Sequence, residues 1–191
     1  MDDNTEEVFE KVEKYFSILK KVLSDEEMSL IESFDTTRLA ICPRGLTEKE
    51  GGTPGGLLNF SLDVALTAKS MSKAFGVEAK KAVKVALLHE LGRMGSLWDE
   101  SNQLYILQDS DWHRDKLGQN YKYNPECERM NIGHRTLQML QDLGINLDRE
   151  EFISVLTSQG FHLQENAFYA SSAPGLAHLL QAARSVVVLK T

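Results

Sequence analysis

Cysteine is scarce in this chain. Cys42 and Cys127 are the two thiols in 191 residues, far apart and in no CxxC pair. Two thiolates cannot complete a zinc site by themselves. Long apolar runs are missing as well, since none approaches the roughly 18–20 residues of a membrane span. There is no excess of positive charge: 21 Lys+Arg against 28 Asp+Glu leave a formal charge of −7. With a pI near 5.3 the chain lacks the overall basic footprint of a nucleic-acid binder, although a local basic groove stays open. The first segment, MDDNTEE, is acidic where a signal peptide would be basic and then apolar, so no export is expected. What is present, 42% apolar and 26% charged residues, is the composition of a globular protein. The expectation is a cytoplasmic protein of single-domain size, neither membrane-bound nor coating nucleic acid.

Helical periodicity runs through most of the chain. Val8, Phe9, Val12, Phe16, Leu19, Val22 and Leu23 recur at three- and four-residue steps and predict a helix over Glu6 to Leu23. Ser24 and Glu27 form an S-x-x-E capping box, so a second short helix follows to about Ser33. From Cys42 to Gly56 the chain spends five of its 13 glycines and two of its four prolines, which predicts a loop. Paired glycines can cradle phosphate, but neither the P-loop nor the dinucleotide-binding order is present, so this stretch reads as a flexible connector. Helices are predicted again from Leu57 to a stop at Gly76, and from Ala79 to Leu91 with an apolar, central end. Met94 to Pro125 differs, carrying both tryptophans. Within it Leu104–Leu107 and Tyr121–Tyr123 read as short strands paired across a Ser110–Leu117 turn. Further helices are predicted at Gly133–Leu143, at Asp148–Ser158 with Asp148 as N-cap, and at Pro174–Leu189.

Chemistry first suggests itself at His89-Glu90, which the periodicity places at the end of a buried helix. A buried carboxylate demands a cation or hydrogen-bond donors. The pair reads either as a metal-binding or catalytic element, or as a satisfied polar pair inside a helical core. Elsewhere Trp112-His113-Arg114 offers a substrate-facing histidine or an exposed one resting on Trp112. Arg114, Lys116 and Lys122, with Tyr121 and Tyr123, can bind a phosphate and stack a base; the same residues also suit a strand pair with a solvated edge. His162 and His178 read as surface or helix residues.

Two runs carry a family likeness: Gly55-Gly56-Leu57-Leu58-Asn59-Phe60-Ser61-Leu62 and Ala86-Leu87-Leu88-His89-Glu90-Leu91-Gly92-Arg93. So do Gln108 to Arg114, Leu117-Gly118, Tyr121 to Pro125, His134 to Leu137, Glu165 to Tyr169, and Leu176 to Ala183. In this order the segments, spanning roughly Thr53 to Val188, resemble the HD-domain metal-dependent phosphohydrolases, in a subgroup common in bacteriophages and some bacteria. The resemblance implies a mostly all-α fold. Residues 53–191 would form an HD-like helical bundle with a short β-hairpin-like insert, preceded over residues 1–52 by two accessory helices and the Gly/Pro-rich loop. If the chain is phage-encoded, its place is the host cytoplasm.

In that family His and Asp side chains hold one or two divalent metals, which generate hydroxide and neutralise the phosphate under attack. Carried onto this chain, the first histidine position is Phe60, the His-Asp pair is His89-Glu90, the fourth-helix histidine falls on Ser158, and the terminal aspartate falls on Arg184. His134 is retained. A catalytic metal needs about three protein ligands and an open position; His89, Glu90 and His134 would be the only set, with the Arg184 cation beside them. The resemblance therefore implies a dismantled site with no cofactor, the alternative being a divalent transition metal. Two functions follow: a degenerate, non-hydrolytic member that binds a protein partner or nucleotide-like ligand, or an active phosphohydrolase with a rebuilt metal site. For the first, Trp112, His113, Arg114, Lys116, Tyr121, Lys122 and Tyr123 are the ligand or partner surface. It also implies that Arg184 contacts Glu90 in place of the metal, unless Arg184 turns outward to solvent.

Overall fold

The computed structural model describes residues 3–31, 36–96, 99 and 102–190. These are mostly helical. Three helices come first: α1 (Asp3–Val22), α2 (Asp25–Ile31) and α3 (Thr36–Ile41). The Gly/Pro-rich loop leads to α4 (Gly56–Met71) and α5 (Ala79–Leu88). Then follow β1 (Tyr105–Leu107), α6 (Asp111–Leu117) and β2 (Tyr121–Tyr123). The chain closes with α7 (Ile132–Asp142), α8 (Arg149–Leu156) and α9 (Gly175–Val188).

The capping box before α2 is formed as the sequence requires. Glu27 N donates to Ser24 Oγ at 3.1 Å, and Ser24 N donates to Glu27 Oε2 at 2.9 Å. Asp148 caps α8 in the same reciprocal way with Glu151. α5 lies at the centre, with Val85, Ala86, Leu87 and Leu88 fully buried. It packs on α1, α4, α8 and α9. One large apolar cluster takes in Val12, Tyr15 and Leu19 of α1, Leu39 of α3 and the inner faces of the later helices. Tyr15, buried, donates its hydroxyl to Leu87 O at 2.8 Å. The N-terminal helices thus share the core of the later ones.

Four local expectations are corrected. The N-terminal region holds three helices, because Leu39 is buried and the Arg38 guanidinium donates to Met94 O, contacts that hold a six-residue helix too short to persist alone. The expected end of α2 near Ser33 lies outside the described residues. The predicted turn between the strands is instead a helix, α6, opened by Ser110, whose Oγ accepts from His113 N, and closed by Gly118 in the left-handed region. The strands do pair antiparallel, with Ile106 opposite Lys122. α5 stops at Leu88, and Glu90, at φ −116° and ψ 11°, turns the chain into a 3₁₀ turn over Leu91–Met94. Gly92 in that turn lies against α7, where a Cβ would sit 2.7 Å from Thr136 N. Lastly, the Gly/Pro-rich segment is not a free connector. Glu50 accepts from Leu46 N and Thr47 N, and Asn120 N and Tyr121 N donate to Leu46 O, which ties the loop to the strand pair.

Candidate functional site

Glu90 sits where α5 ends, the Leu91–Met94 turn begins and the Gly/Pro loop, α9 and the segment after α8 converge. Its side chain is wholly buried. Five hydrogen bonds reach its two oxygens. Arg44 Nε and Arg93 Nε donate to Oε2 at 3.0 and 2.9 Å. Arg93 Nη2 and Gln159 Nε2 donate to Oε1, each at 3.1 Å. Arg184 Nη2 donates to Oε1 at 2.5 Å, and its Nη1 donates to Ser158 O. The expected Arg184–Glu90 contact is therefore direct.

Burial alone would raise the Glu90 carboxyl, but Arg93, then Arg184 and Arg44, outweigh it and hold the group well below the usual carboxylate range. Arg93 is stabilised as a cation, because Glu90 outweighs the effect of its burial. Arg184 is shifted the other way, first by burial and then by repulsion from Arg44 and Arg93. His89, fully buried, is pushed down to about 3, chiefly by burial and further by Arg184 and Arg44. It is neutral at pH 7. Its Nδ1 lies 2.7 Å from Ala86 O, so that nitrogen carries the proton; Nε2 is buried with no hydrogen-bond partner.

Phe60 is part of the same assembly, though not as a ligand. The Arg44 guanidinium carbon lies 3.5 Å from its ring centroid and that of Arg184 5.9 Å, a cation–π platform under two of the three cations. Ser158 is buried and contributes its carbonyl to Arg184. His134 does not join them: it is exposed on α7 and lines a wide cleft with Gln159 and Tyr123. Among the described residues no group of three or more His, Cys, Asp or Glu side chains is placed to hold a metal ion. The donor set around Glu90 does not suit one either. Its carboxylate oxygens are filled by cations and an amide, and a metal would face three guanidiniums.

Sequence reasoning passed over Arg44, Arg93, Gln159 and Tyr105 as site members. Arg93 had a signal, its i+3 spacing from Glu90. Arg44 had none, lying in a loop 46 residues away. Tyr105 completes the assembly by donating to Arg44 O at 3.0 Å while Arg93 Nη1 donates to its hydroxyl at 2.6 Å.

The insert residues are spread along the strand–helix–strand segment. Trp112 is 58% exposed on α6, edge-on to the His113 ring. His113 Nδ1 meets Ser110 Oγ at 2.8 Å. Arg114 pairs with Asp111 and donates to Gln108 O, Lys122 pairs with Asp109, and Lys116 is exposed. Tyr121 packs on Leu104 and Tyr105, while Tyr123 is exposed beside Tyr105. His178 is exposed with its ring 5.0 Å from that of Phe161, and His162 is exposed.

The class that fold and site define is a mostly helical protein whose buried carboxylate is held by three arginines. No family model, no curated protein and no solved structure matches the chain.

Proposed function

We propose that this chain is a catalytically degenerate HD-type phosphohydrolase-like protein that acts by binding a protein partner or a nucleotide-like ligand. One observation carries the reading: five hydrogen bonds from Arg44, Arg93, Arg184 and Gln159 use both oxygens of Glu90. A carboxylate offers about four lone-pair sites, so none is left for a metal or for the proton of an attacking water. Glu90 is a counter-ion. Binding then falls to the surface, where the insert presents Leu107, Trp112, Leu117 and Tyr123 to solvent. Exposed aromatic and arginine side chains of this kind are enriched at interfaces.

The second reading, a metal-dependent phosphohydrolase with a rebuilt site, has one observation in its favour, the unpartnered Nε2 of His89. Titration with manganese, iron, zinc and nickel separates the two. No micromolar site is expected, and no hydrolysis of nucleoside phosphates. A micromolar site lost in His89→Ala, or turnover lost in Glu90→Gln, would establish the second reading. The nucleotide branch of binding is read from tryptophan fluorescence with nucleoside monophosphates, and Trp112→Ala and Arg114→Ala are expected to weaken it.

A further inference from the structure

The charges gathered on Glu90 do not balance. Three guanidiniums meet one carboxylate, and His89 is neutral among them. The further carboxylate acting on Arg44 is that of Glu50, which is exposed and whose Oε2 is already engaged by Leu46 N, Thr47 N and the Thr47 hydroxyl.

Hydrogen-bond donors are in surplus too. A guanidinium carries five N–H groups. Arg93 places all of them, on Glu90, Arg44 O, Tyr105 and Gln159. Arg184 does not, for its Nε is buried without a partner. Arg44 uses only its Nε, so its two terminal nitrogens have no protein acceptor among the described residues. Spare positive charge combined with spare donors is complementary to an oxyanion.

A place for one exists beside Arg184. A cavity of about 380 Å³ is lined there by Gln159, Gly160, His162, Gln181, Arg184 and Ser185, with Val188 and Leu189 at one side. Among the described residues no carboxylate lines it. Gly160, at φ 120°, is what brings His162 to this wall, since a Cβ there would lie 2.4 Å from His162 Nδ1. Gln181 and Gln159 are fixed by their own bonds to Thr157 O and Glu90, so the polar lining is preorganised.

We infer that this cavity is a binding site for a phosphate-class oxyanion, contacted by Arg184, His162 and Ser185 and drawn by the unbalanced charge of Arg44 and Arg93. The inference rests on Glu90 being a counter-ion, and the cavity is large enough for a phosphomonoester as well as the free ion.

The test titrates the whole chain with inorganic phosphate at ionic strength held constant with chloride, following the His162 ring resonances by NMR. A second arm uses glycerol 2-phosphate; tighter binding there assigns the anion to a larger molecule, and equal binding assigns the free ion. A saturable shift with phosphate and none with chloride is expected. Ser185 is exposed, so Ser185→Asp will fold, and its new negative charge should weaken phosphate binding about tenfold. Absence of a saturable shift, or equal affinity in Ser185→Asp, overturns the proposal. That failure would leave Glu90 as a counter-ion untouched, whereas a micromolar metal site lost in His89→Ala would remove both.

Discussion

Replacing Glu90 by glutamine should do more damage than removing any one of its arginines. Glu90→Gln keeps the shape but leaves three guanidiniums, with side chains only 12–15% exposed, around an amide whose NH₂ points at other donors. Breaking a buried ion pair from one side costs about 3–5 kcal/mol. Arg184→Met is a different perturbation, because Arg44 and Arg93 still neutralise the carboxylate. At an effective dielectric of about 20, an attraction of about 4 kcal/mol at ~4 Å is lost, but repulsion of about 2.8 kcal/mol from each of two cations at ~6 Å is relieved. The relieved repulsion is the larger by about 1–2 kcal/mol and offsets part of the cost of the lost hydrogen bonds to Glu90 and Ser158 O, so Arg184→Met should cost no more than about 1–2 kcal/mol. Urea unfolding followed by circular dichroism reads both variants and the double mutant, in which Arg184→Met should recover part of the Glu90→Gln loss. In a chain of this size each kcal/mol moves Tm by about 2–4 °C. Equal losses in the two single variants, or a Glu90→Gln loss below about 1 kcal/mol, would refute the argument from charge redundancy.

Acidification should destabilise the fold through His89. The unfolded imidazole takes up its proton near pH 6.5 and the buried one only near pH 3, so unfolding becomes easier as pH falls through that window, by up to about 4–5 kcal/mol. Urea midpoints at pH 7, 5.5 and 4 check this, and a flat profile would contradict it; Glu90, depressed in the folded state, adds a further loss only below about pH 4. Phe60→Leu preserves most of the apolar volume but removes the face beneath Arg44, and a loss of about 1–2.5 kcal/mol is expected from the cation–π contact and the altered packing. Gly92→Ala drives a methyl group into the backbone of α7 and should cost about 1–3 kcal/mol, measurable as a Tm decrease; a neutral result would mean that the turn can shift away.

Much of the helical framework was legible because periodicity and caps are local. The α1 stripe, the Ser24–Glu27 and Asp148–Glu151 boxes and the stop at Gly76 each depend on residues within one or two turns, and the structure contains all of them. The exceptions have physical reasons. α3 is too short to signal itself and exists through the burial of Leu39 and the reach of Arg38. α6 replaced a turn because a Ser N-cap and a Gly C-cap mark a seven-residue helix as readily as a loop.

The candidate site divides along the same line. That a carboxylate at the end of a buried, apolar helix must find positive charge follows from the sequence alone, since an unpaired anion there is too costly. That Arg184 is one source of that charge was an expectation that came with the family resemblance, not from composition, periodicity or spacing. What only tertiary structure decided is that three cations arrive rather than one, from positions 44, 93 and 184, with Gln159 filling the last place and Phe60 turned into a platform. It decided, too, that His134 stays outside. No local pattern encodes these outcomes, because a loop's path and the relative placement of α7 and α9 are set by packing across the whole core, and charge convergence follows from that placement.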